Sequence, residues 1–115
     1  NNTVTKYVLN KISSSFDDRD IFHDESSVEH IINEDISNKI TLNIGNLICL
    51  EEKINNEADN LSFDEKVKIY SKSKYHQVNR FCKDYNVFDT DYIDQRAEKL
   101  AEYYYENIIL KSKNL

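Results

Sequence analysis

An acid and an imidazole stand side by side inside a short apolar run, Val28-Glu29-His30-Ile31-Ile32. A neutral imidazole titrates near neutral pH and can take a proton from water. A carboxylate is an oxygen ligand for hard cations. Two further polar stretches follow: Gly45-Asn46-Leu47 inside a second apolar run, and Ile54-Asn55-Asn56 just beyond it. Taken singly, these residues carry little. A lone Glu-His pair is usually a surface feature, and asparagine is abundant in this chain. Their order along the chain is what gives them weight.

The elements that must position these residues are legible from periodicity. Val28, Ile31 and Ile32 predict a strand over 28–32, and the run Ile40 to Leu50 predicts its partner. That second run holds the only glycine of the sequence, the residue used where the backbone needs positive φ or a close approach. Glu51 to Ala58 reads as a helix directly after it. Upstream, Val4, Tyr7, Val8 and Ile12 form a stripe that predicts a helix over 3–15, packed on the core. Residues 13–27 read as a polar, acidic loop in which His23 is exposed, and residues 33–39 as a turn. Asp59 to Ser62 breaks the chain, and Ser62 with Glu65 forms a capping box for a helix carrying Phe63, Val67 and Tyr70. That helix continues or kinks toward Tyr75, Val78, Phe81 and Cys82. Asp89-Thr90 opens the last helix, whose covered face is Ile93, Ala97, Leu100, Ala101, Tyr104 and Ile108.

Composition narrows the function classes. A chain of 115 residues is expected to form one domain over 1–115, with a modest core. It contains no methionine, so it is expected to be a piece of a longer protein. No apolar run approaches the roughly 18 residues of a membrane span, and nothing resembles a signal peptide. Cys49 and Cys82 lack a CxxC partner and read as buried reduced thiols of a cytoplasmic protein. The net charge of −6 argues against strong nucleic-acid binding overall, but the charges are unevenly placed. Between Asp17 and Asp35 there are eight acids and one base; between Lys66 and Lys83, six bases and no acid. The basic block is a solvated helix face by default. Beside a site that met a phosphate backbone, Lys66, Lys68, Lys72 and Lys74 would form a phosphate track.

Two strands and a helix carrying a Glu-His pair, a loop asparagine and a helical asparagine resemble the ββα-metal core of HNH nucleases. Four phrases extend the likeness: Glu29-His30-Ile31, Ile44 to Leu50, Asn60 to Lys66, and Tyr70 to Ser73, with Ile93 and Arg96 in the last helix. In that order they resemble the C-terminal HNH domain of GmrSD-type modification-dependent restriction enzymes, over about Val28 to Leu110. The resemblance implies an α+β, mostly helical fold. Its ββα core would span about 27–60, packed with an N-terminal helix and a helical remainder over 62–113. It also implies a DNA endonuclease of restriction or phage defence, using one Mg²⁺ or Mn²⁺ ion. His30 would be the general base, and Glu29 and Asn55 the metal ligands, with Asn56 as the fallback. Asn46 would be structural support for the site. Asn55 follows Asn46 by nine positions, the spacing also seen in the HNH domain of RNA-guided CRISPR nucleases. An N-terminal nucleotide-binding and recognition domain of the same larger protein would be the partner, with DNA and no membrane. The family carries proline two residues after the histidine, often followed by glutamine; here Ile31-Ile32-Asn33-Glu34 follows, and Asn33 would cover part of that glutamine's role. The alternatives are an inactive HNH fold that binds DNA or protein, and a helical interaction domain with an accidental motif.

Overall fold

The computed structural model describes residues 2–17 and 25–113. The chain is mostly helical around one antiparallel hairpin. Helix α1 (Asn2–Ser15) precedes strand β1 (Ser26–His30), which pairs with β2 (Leu47–Glu51) so that Val28 faces Cys49 and His30 faces Leu47. Helix α2 (Glu52–Ala58) follows β2 without a loop, completing a ββα-type core. Helices α3 (Phe63–Tyr70), α4 (His76–Asp84) and α5 (Ile93–Tyr104) pack behind it. After α5 the chain widens into a π-turn (Tyr105–Ile109) and closes with α6 (Leu110–Lys113). His23 and most of the acidic stretch after α1 lie outside the described residues.

Strand β2 is shorter than the apolar run that predicts it. Residues 39–46 wind instead into two 3₁₀ turns, Lys39–Leu42 and Ile44–Asn46. The cause is local: Asn38 and Asn43 stand at the two N-caps, and their side chains accept from the Ile40 and Gly45 amides (3.4 and 2.8 Å). Strand β1 ends early for a related reason. Asn46 takes the Ile32 amide and carbonyl with its own side chain, so the ladder stops at His30. Gly45 is required by a close approach and not by its φ, which is negative. A Cβ there would overlap the Ile93 carbonyl oxygen and come within 2.9 Å of the Ala97 nitrogen on α5.

Successive residues of β2 point to opposite faces, and both faces are covered. Ile48 and Leu50 enter the main core with Ile31, Tyr70, Val78, Phe81, Phe88 and Ile93. Leu47 and Cys49 meet Leu9 of α1. Helix α1 is therefore turned from the predicted stripe: Leu9, Ile12 and Ser13 are buried, whereas Val4 and Tyr7 are exposed. Ala101 of α5 is likewise exposed, outside the expected covered face. Ser62 caps α3 through the predicted box, accepting from the Glu65 amide at 3.4 Å. The chain breaks between α3 and α4 because Glu51 captures it: Ser73 Oγ and the Lys74 amide donate to the two Glu51 oxygens (2.6 and 2.8 Å).

Candidate active site

Glu29, His30, Asn33, Asn55, Asn56 and Lys66 share one open, polar cleft of about 250 Å³ between β1, α2 and the start of α3. Consecutive strand residues ordinarily face apart, yet Glu29 and His30 both reach this cleft, and β1 ends at His30. The His30 imidazole is half-buried and takes no protein hydrogen bond among the described residues. Asn46 lies below, fully buried. Its oxygen accepts the Ile32 amide (2.8 Å), and its nitrogen donates to the Ile32 and Thr41 carbonyls (2.8 and 2.9 Å). Asn46 thus braces the backbone just past His30, with both of its amide protons committed.

Asn55 presents one end of its amide. Nδ2 donates to Ser27 Oγ (2.8 Å) and the Val28 carbonyl (3.3 Å), so both protons are committed to β1 and Oδ1 is left as an acceptor. Asn33 behaves similarly. Its nitrogen donates to the Asn60 and Leu61 carbonyls (3.0 and 3.3 Å), while its buried Oδ1 has no partner among the described residues.

Glu29 is only 4% exposed, and its surroundings are the least expected part of the site. Tyr70 donates its hydroxyl to Oε2 at 2.6 Å, and Lys66 Nζ lies 3.2 Å from the same oxygen. Oε1 takes no hydrogen bond among the described residues. Lys66 also donates to the His30 carbonyl at 2.7 Å. Both its partners are acceptors; burial pulls the amine below the usual lysine value, and the Glu29 charge beside it pulls the other way. Burial, reinforced by the Glu29 charge, pushes the Tyr70 phenol far above its ordinary value, so it stays a donor.

Lys66 therefore departs from the expected phosphate track: its side chain is 1% exposed and belongs to the cleft floor. Lys68, Lys72 and Lys74 remain exposed, and Lys72 pairs with Glu57 at 3.0 Å. Sequence reasoning missed Lys66 and Tyr70 as partners of Glu29. The available signal was their i, i+4 spacing, which puts both on one face of α3. Arg96 also has a definite place: buried on α5, it donates to the Gly45 and Leu47 carbonyls (2.9 and 2.8 Å) and lies over the Phe81 ring. Burial lowers its pKa to about 10, which leaves it a cation at neutral pH.

The cleft offers hard oxygens, Glu29 Oε1 and Asn55 Oδ1 among them, and Asn33, Glu34, Asn56 and Asp59 line it as well. No group of three or more His, Cys, Asp or Glu side chains that could hold a metal occurs among the described residues. Such sparse oxygen ligation fits a hard divalent cation that keeps its waters and shares substrate phosphate oxygens.

An antiparallel hairpin followed directly by a helix, with further helices packed behind it, defines the class as an α+β protein with a ββα-type core. The family model for the C-terminal domain of GmrSD restriction endonucleases matches residues 1–103, and the chain belongs to that family. No curated protein and no solved structure matches it. Among the described residues, no helix is long and apolar enough to cross a membrane.

Proposed function

We propose that this domain hydrolyses DNA phosphodiester bonds with one divalent cation, Mg²⁺ or Mn²⁺, within a larger cytoplasmic restriction or phage-defence protein. The observation that supports this reading is the meeting of Glu29, His30 and Asn55 at one cleft of a restriction-endonuclease family member. Glu29 Oε1 and Asn55 Oδ1 would hold the cation, which supplies charge neutralisation at the phosphate when bound. His30 would take the proton from the attacking water, its ring having no hydrogen-bond partner among the described residues. Asn46 fixes the backbone that carries His30, and Asn56 is the neighbouring amide should Asn55 not ligate. Exposed Lys68, Lys72 and Lys74 would steer the DNA backbone. Recognition of the target, modified or foreign, falls to an N-terminal nucleotide-binding domain of the same protein.

The test is a plasmid-nicking assay with the full-length protein over a Mg²⁺ and Mn²⁺ titration, with circular dichroism as the folding control. His30→Ala should lower the rate on the order of 10²–10⁴-fold while cation affinity persists. Glu29→Ala should also lose cleavage, through cation affinity, so excess Mn²⁺ partly restores it. A folded His30→Ala protein that nicks at the wild-type rate overturns the assignment. It would leave the alternative, an inactive HNH fold used for binding.

A further inference from the structure

A buried carboxylate that serves only a metal makes folding depend on the metal, because without it the charge has no partner. Glu29 is arranged differently. Its Oε2 is satisfied within the protein by the Lys66 ammonium at 3.2 Å and the Tyr70 hydroxyl at 2.6 Å, and only Oε1 is left over. The same ammonium reaches past Glu29 to the His30 carbonyl at 2.7 Å, so one side chain holds both residues of the pair. Lys66 is 1% exposed and cannot exchange this role for contact with solvent. We infer that Lys66 is the standing counter-ion of Glu29, a positioning residue that lets the hairpin fold with its carboxylate held and aimed whether or not a divalent cation is bound at Oε1. The bearing on metal rests on the nuclease reading above; the bearing on folding does not.

The experiment compares melting temperatures in EDTA and in millimolar Mn²⁺ for the wild type, Lys66→Met, Tyr70→Phe and the double variant Lys66→Met/Glu29→Gln, with calorimetric titration of Mn²⁺. The wild type should be folded in EDTA and gain little from the ion. Lys66→Met should melt lower in EDTA and gain about 4 °C or more beyond the wild-type shift when Mn²⁺ is added, the ion replacing the lost cation. Tyr70→Phe removes a hydrogen bond from the same oxygen but leaves the charge, so its Mn²⁺ shift should match the wild type. Changing Glu29 to glutamine in the Lys66→Met background removes the orphaned charge and should raise the melting temperature in EDTA. A wild-type-sized Mn²⁺ shift in Lys66→Met, or a double variant no more stable than the single one, overturns the inference. Should Lys66→Met fail to fold with and without the ion, recovery of a cooperative melt in the double variant decides the matter. That comparison uses no metal and no cleavage. A wild type that neither binds Mn²⁺ nor nicks DNA would therefore sink the nuclease reading while leaving the counter-ion role to its own result.

Discussion

At the scale of single residues, the site separates groups that are spoken for from groups that are free. Asn46 spends both amide protons and accepts once, making three hydrogen bonds to backbone groups of Ile32 and Thr41. Asn46→Ala would leave those groups unpaired in the interior, and the cost should be about 2–4 kcal/mol, read by urea denaturation. Its supporting role was legible in the sequence, because an asparagine beside the only glycine suits a loop whose backbone must be fastened. The partners of Glu29 were not legible. A lysine in a basic block reads as solvated, and Lys66 looks no different from Lys68 or Lys72 until the i, i+4 relation to Tyr70 is folded against β1. Burial of a charge depends on what another element brings to it, and one segment's pattern does not contain that.

At the scale of elements, the helices were easier to read than the strands. Ser62 and Asp89 carry caps that the local sequence spells out, α2 lies within a residue of its predicted bounds, and α3 starts where its capping box places it. The run Ile40 to Leu50 misled because apolar content says where a segment is buried but not how it winds. Asn38 and Asn43 decided that with short-range hydrogen bonds. The contact between the 3₁₀ turn and α5 is backbone to backbone, so Gly45→Ala must push the two elements apart. A loss of about 2–3 kcal/mol or more is expected in chemical denaturation. Lys68 on α3 and Lys72 and Lys74 in the connection after it are exposed to solvent. Reversing their charges should weaken DNA binding equally across sequences and flatten its salt dependence, whereas an unchanged slope in a salt titration would make them an ordinary solvated face.

At the scale of the whole molecule, the two thiols report on the fold. Cys49 is 2% exposed between the hairpin and α1, and Cys82 is half-buried against the main core; burial raises the pKa of both. Thiolate is the reactive form, so the native protein should react slowly with a disulfide reagent at neutral pH, Cys82 ahead of Cys49. Mild urea should release Cys49 only as the molecule unfolds globally. Rapid labelling of Cys49 in native buffer would show that α1 detaches from the hairpin independently. The expectation of buried, unpaired cysteines held better for Cys49 than for Cys82, since only the former sits in a strand covered on both sides.

That double covering of β2 has a consequence for pairing. With Leu47, Ile48, Cys49 and Leu50 all apolar, shifting the strand by one residue would keep greasy groups on both faces, so hydrophobicity alone cannot choose the register. The choice falls to polar fasteners at the two ends: Arg96 on the Leu47 carbonyl, Asn46 on Ile32, and Glu51 on the chain after α3. Loosening them admits a slipped hairpin as a competing, still compact state. In that state the strand remains buried, while Glu29 and His30 lose their places opposite Asn55 and Lys66.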